Sequence, residues 1–291
     1  MADRQSRTFS VGSIRCTSIL DGEALYDPED LFADVPKDAW HPVVADHLNS
    51  EGYLPLPYQP VLIEIDGGSI LVDAGTGPEL AAEWEEPVGE TLASLEALGT
   101  PADRIDTVVL THAHPDHVGG LSQIVDGRRA PVFGNARHLI SFEEWRYWQT
   151  ENLPEPSSHM APVARIHLAT LREAGLLDLI DDEIEIAPGV LTFPTPGHTP
   201  GHLSVAVGSQ GERAIVAGDA VLTDHSLEHP EWYAWAEVDP RRTIETRRAL
   251  LERAVREDAI LTAFHARAIG RVRPQNGAFA VEEIAGSTPD R

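Results

Sequence analysis

The 291-residue sequence has a single cysteine, Cys16, and that scarcity excludes two kinds of architecture. No intrachain disulfide can form and no thiolate cluster can hold a metal, so any metal site must be built from histidine and carboxylate. Lysine is equally scarce, with Lys37 alone among the basic residues not being arginine. The 22 basic residues face 47 acidic ones, a formal net charge of −25 that repels phosphate backbones and anionic lipid. Nucleic acid and membrane are therefore not expected as partners. No apolar run reaches bilayer length, and the opening MADRQSRTFS lacks the apolar core of an export signal, so a cytoplasmic location is expected. Internal repeats and low-complexity linkers are absent as well.

What is present is a chain of 42% apolar residues with 23 glycines and 22 prolines, the profile of a loop-rich globular protein. Ile14 to Leu20 reads as a strand, and VLIEIDGGSILVDAG reads as a hairpin around Asp66, Gly67 and Gly68. Further strands are predicted at Ile105–Leu110, Pro131–Phe133, Val190–Phe193, Leu203–Val207, Ala214–Ala217 and Ile260–Ala263. Helical spacing marks residues 89–98, 142–148, 162–174 and 241–257, and HVGGLSQIV reads as the start of another helix. In 241–257 the apolar face is predicted to be Ile244, Leu251 and Val255, with arginines and glutamates elsewhere. Residues 26–60 are too irregular for one element and read as an excursion with short helices, either a lid or a dimer arm. Strands in each half, interleaved with helices, predict a single α/β domain over 1–291 with two sheets face to face and helices outside.

The densest chemistry lies in VVLTHAHPDHVGG. His112 and His114, two residues apart on extended backbone, point the same way, and Asp116 and His117 follow a stiffening Pro115. Such donors suit one divalent cation, or divide between two, with zinc first and iron, manganese or cobalt also compatible. Three more donors follow apolar runs and sit among small residues: His198 in TPGHTPGH, Asp219 in AGDA and His265 in AFHA. His202 reads as a structural hydrogen-bonding residue, and His225 and His229 as loop histidines.

The ordered series HAHPDH, GHTPGH, AGDA and His265 resembles the metallo-beta-lactamase superfamily, from about Val61 to His265. More loosely, the chain is similar to members that hydrolyse lactones and organophosphates. The resemblance implies an αββα four-layer sandwich of two mixed sheets. It implies that His112, His114 and His198 hold one metal, that Asp116, His117 and His265 hold the other, and that Asp219 bridges both. Asp73 in LVDAG matches the aspartate that the family places beside the metals. A dinuclear hydrolase follows, in which hydroxide between the metals attacks a small, neutral ester or lactone and Asp116 relays the proton. A phosphotriesterase on the same site is the alternative, and a non-catalytic metal- or ligand-binding sensor is the alternative of another class.

Departures narrow the branch. Asp219 argues against antibiotic hydrolysis, His114 against flavodiiron relatives (which carry Glu there), and the acidic surface against nucleases. Few residues follow His265 to build the helical domain of glyoxalase II. Leu222 stands where lactonase members often carry a tyrosine. Trp145, Trp148, Trp232 and Trp235 are read mainly as core or subunit contacts, with an apolar pocket wall as the functional alternative. A homodimer is expected.

Overall fold

The computed structural model describes residues 6–284. Its first sheet has seven strands in the order Arg7–Val11, Ile14–Ser18, Val61–Ile65, Gly68–Val72, Thr107–Val109, Arg137–Ser141 and Leu177–Ile180. The first four pair antiparallel and the rest parallel. A second seven-stranded sheet runs Ile184–Ala187, Val190–Pro194, Leu203–Ser209, Glu212–Val216, Ile260–Thr262, Gly270–Gln275 and Ala278–Glu283. One parallel pair, Glu212–Val216 with Ile260–Thr262, makes this sheet mixed as well.

Alternation along the strands builds the layers. Val61, Ile63, Ile70, Val72 and Val109 face inward and meet Val205, Val207, Ala214, Val216 and Ile260 of the other sheet. The residues between them, such as Leu62, Leu71 and Val108, face outward onto Leu95, Trp148, Leu168 and Leu171 of the helices. On the far side Ala206, Ile215 and Leu261 meet Leu250, Leu251 and Ala254 of the helix Pro240–Arg256. Burial on both faces explains why these strands read as continuous apolar runs. The result is the expected αββα sandwich.

Several elements depart from the sequence reading. HVGGLSQIV does not start a long helix: the helix Pro115–Val118 gives way to a tight turn at Gly119–Leu121, and Ser122–Val125 is a strand. It pairs with Arg128–Pro131 across Asp126 and Gly127, which both have positive φ, and the strand predicted at Pro131–Phe133 thus lies earlier in the chain. A Cβ on Gly119 or Gly120 would strike the carbonyls of Thr76 and Ala74, so this chain must pass too close for a helix bearing side chains. The helix predicted from Pro162 begins at Ser157 and carries that proline inside it. In Pro240–Arg256 the buried face is Thr243, Arg247, Leu250, Leu251 and Ala254, while Ile244 and Val255 are half-buried.

The excursion begins earlier than predicted, because Gly22–Tyr26 pairs antiparallel with Leu54–Tyr58. Between them the helices Pro28–Leu31 and Lys37–Val44 build a small core of Leu31, Phe32, Trp40 and Val44, closed by Leu222 and Ala234 of the main body. Among the described residues no helix is long and apolar enough to cross a membrane.

Candidate metal centre

Strands that stop at one shared edge of the sandwich deliver its polar residues. Thr107–Val109 leads to His112 and His114, and the helix Pro115–Val118 carries Asp116 and His117. Val190–Pro194 leads to His198, Glu212–Val216 to Asp219, Ile260–Thr262 to His265 and Gly68–Val72 to Asp73. Pro115 holds His114 extended at φ −67° and ψ 153°, so the chain turns helical only after both HxH imidazoles are placed.

The seven residues meet as two groups, His112, His114, His198 and Asp219 beside Asp116, His117 and His265, with the donor atoms of each group within 4.8 Å of one another. Asp219 Oδ2 lies between the groups. It stands 3.3 Å from His198 Nε2, 3.5 Å from both His117 Nε2 and His265 Nε2, and 3.8 Å from His112 Nε2. Donors about 2.0–2.1 Å from a tetrahedral cation stand roughly 3.3–3.4 Å apart, so the spacing is that of a cation's ligand shell.

Hydrogen bonding orients the rings. His112 Nδ1 meets Thr111 Oγ1 at 3.0 Å, His117 Nδ1 meets Asp73 Oδ2 at 2.9 Å, His198 Nδ1 meets Glu237 Oε2 at 2.9 Å and His265 Nδ1 meets the Pro57 carbonyl at 3.2 Å. Each outer nitrogen is thereby occupied and each Nε2 turns inward. His114 instead presents Nδ1, 2.9 Å from His198 Nε2. His112 Nε2, His117 Nε2 and Asp219 Oδ1 are buried without a protein partner. Orphaned polar atoms of this kind are costly unless something else fills them, and a divalent cation fits that description.

The electrostatics agree. Burial pushes the Asp219 carboxyl up, but His117 and His265 outweigh it and hold it well below the usual range. Burial likewise opposes charge on His198, yet Glu237 and Asp219 carry its imidazole up to about 10. Asp219 is thus held ionised, whereas burial and the neighbouring imidazoles push His112 and His114 well below the usual range. Burial, then His198, likewise lowers His202 to about 3. As a neutral ring it accepts the Asp219 backbone N–H at 3.0 Å and meets Thr195 Oγ1 at 2.8 Å, the structural part expected of it.

Asp73 sits beneath the centre at φ 63°, accepting from Thr111 N and Thr111 Oγ1 at 2.8 Å each as well as meeting His117. Three supporting residues were not read from the sequence. Glu144 accepts from Ala113 N and Trp148 Nε1 on one oxygen and from Thr199 Oγ1 and Gly201 N on the other, tying the two histidine loops together. Glu237 holds His198 and accepts from Thr243 Oγ1 at 2.9 Å. Arg247, fully buried, donates to the carbonyls of Ala220 and Trp232 and lies 3.5 Å from Glu237. Helix register turns Glu144 and Arg247 inward, whereas Glu237 lies in the loop before the helix Pro240–Arg256.

Above the centre is a small cleft of about 90 Å³ whose lining includes His114, Asp116, Asp219 and His265, with Leu31, Leu56, Met160 and Leu222 among its apolar walls. No lysine or arginine lines it. Of the tryptophans singled out, Trp235 reaches this cleft, Trp148 is core, Trp145 lies under Arg172, and Trp232 stacks on His229. His225 faces His47 and Phe32 and lines a separate cavity that also reaches His265.

Comparison with known proteins places this geometry in context. Residues 55–264 match the family model of the metallo-beta-lactamase superfamily. The chain is 27% identical over 226 residues to the N-acyl homoserine lactonase AiiB of Agrobacterium fabrum, covering 64% of this chain and 78% of that protein. It is 30% identical over 135 residues to the probable metallo-hydrolase YflN of Bacillus subtilis, covering 41% of this chain and only 46% of that protein. Among solved structures, the hydrolase AbOPH superposes with a TM-score of 0.85 at 25% identity, covering 98% of this chain and 99% of that one. AidC, a dizinc quorum-quenching lactonase, shares the fold with a TM-score of 0.87 at 21% identity, covering 97% and 99%.

Proposed function

Because the chain belongs to the metallo-beta-lactamase superfamily and is a metal-dependent hydrolase, we propose that its substrate is a small, neutral ester or lactone. The observation that carries this reading is the pairing of seven clustered donors with a cleft that no lysine or arginine lines. Away from the donors, the walls offer an uncharged acyl group apolar contacts and offer an anionic one no lysine or arginine.

His112, His114 and His198 would hold one divalent cation and Asp116, His117 and His265 the other, with Asp219 shared. Histidine and carboxylate donors without thiolate suit zinc first, with iron, manganese and cobalt compatible. Bound cations supply Lewis acidity and a water of lowered pKa. The chain's own residues do the rest. Asp116, whose side chain keeps 13% exposure toward the cleft, takes the proton of the attacking water and returns it to the leaving oxygen. Asp73, Glu237 and the Pro57 carbonyl keep the imidazoles in the tautomers that face inward. The 26–60 excursion acts as a lid, since Tyr26, Leu31 and Leu56 form one wall of the cleft.

Metal analysis joined to a panel of aryl esters, lactones and phosphotriesters tests the proposal, with chelation and re-metallation as the control. Two metal ions per chain and ester or lactone turnover lost in Asp219→Ala are expected. Metal uptake with no hydrolysis of any substrate would favour a sensor module, and turnover confined to phosphotriesters would overturn the substrate class.

A further inference from the structure

Outside the seven clustered donors, two residues of the cleft lining carry a polar side-chain hydrogen, Tyr26 and Trp235. Trp235 stands at the rim, 47% exposed. Tyr26 sits inward, with its ring 6.0 Å from that of His265. Its hydroxyl lies 2.6 Å from the hydroxyl of Tyr58, and either could be the donor on distance alone. Burial decides the direction. Tyr58 is only 3% exposed, its ring stands edge-on to His265 at 4.9 Å, and its hydroxyl has no other partner among the described residues. A buried hydroxyl proton without an acceptor costs roughly 1–3 kcal/mol, so Tyr58 donates and Tyr26 accepts. The proton of Tyr26 is then uncommitted, on a side chain that lines the cleft beside Asp116 and Asp219.

The geometry points to Tyr26 as a catalytic residue that donates a hydrogen bond to the carbonyl oxygen of the ester or lactone as that oxygen gains negative charge. The inference rests on the functional reading above. Tyr58 fixes the Tyr26 oxygen in advance, so little reorganisation accompanies the reaction, and a donor aimed at developing charge in an apolar cleft acts more strongly than in water. Tyr26 stays protonated throughout, and no bond to it forms or breaks. It reaches the centre from the strand Gly22–Tyr26, an element far in sequence from every one of the clustered donors.

Tyr26→Phe tests it, with Tyr58→Phe for comparison, in fully metallated protein. Removing one such donor lowers kcat by about 10²-fold with KM little changed. Calorimetric binding of a neutral substrate's phosphonate analogue, which mimics the charged tetrahedral state, weakens by a similar factor while metal content and thermal midpoint hold. Tyr58→Phe leaves the Tyr26 proton in place and loses less. An active wild type with Tyr26→Phe within two-fold of it in both kcat and phosphonate affinity would overturn the role of Tyr26 alone. Equal losses in the two variants would make the pair a structural clamp. A wild type that hydrolyses no ester or lactone overturns the functional reading, and this inference with it.

Discussion

A carboxylate sealed from water is destabilising by several kcal/mol unless its lone pairs are filled, and Glu144 fills them with four donors from three parts of the chain. Glu144→Gln keeps the volume but turns an amide NH2 toward two of those donors. The expected loss is about 2–4 kcal/mol of unfolding free energy, read as a lower denaturant midpoint, together with weaker metal retention. A variant with an unchanged midpoint would show that the loops hold their places without it. The residue also marks the limit of the sequence reading. Its neighbour Glu143 pairs with Arg146 on the surface, whereas Glu144 is 0% exposed, and EEWRYW gives no local sign of which carboxylate turns inward. The clustered histidines were legible for the opposite reason: each follows an apolar strand and sits among small residues. Glu237 and Arg247 were not, because charge on a helix or loop ordinarily means solvent.

Among elements, the strands of the two sheets were readable wherever both faces are buried, and an edge strand such as Leu177–Ile180 was not, since half of its residues are exposed. The hairpin Ser122–Pro131 was hidden by the preceding glycines, although Asp126-Gly127 is a hairpin turn signal. Two histidines on the outer side of the first sheet set a pH dependence for these elements. His138, on the strand Arg137–Ser141, and His167, on the helix Ser157–Glu173 and 2.8 Å from Ser122 Oγ, are buried and lowered to about 4, chiefly by burial and for His167 also by Arg129. Both stay neutral in the fold and take up protons near 6.5 when unfolded. Their contribution is therefore complete above pH 6.5 and lost as pH falls toward 4, about 3 kcal/mol for each. Denaturant titrations at pH 4.5 and 7 should show a shallower pH slope in His167→Gln than in wild type; parallel slopes would contradict the assignment.

For the whole molecule, the two sheets are built from successive stretches of chain, and the centre lies on the seam between them. His112, His114, Asp116 and His117 follow strands of the first sheet, while His198, Asp219 and His265 follow strands of the second. Cations at the seam bind the folded chain alone, so they stabilise it by about 4 kcal/mol when free metal stands at a thousandfold its dissociation constant. Chelation should lower the thermal midpoint and restored metal should recover it; a midpoint indifferent to both would separate the centre from stability. On the proposed ligand assignment, the same seam also gives the centre a history. As the chain leaves the ribosome, neither nest can be furnished early: the first waits for residue 219 and the second for residue 265. Filling of the second nest thus reports that synthesis has passed the last ligand, and a product cut short before it would be left with that nest wanting a ligand and with less to hold its two halves together.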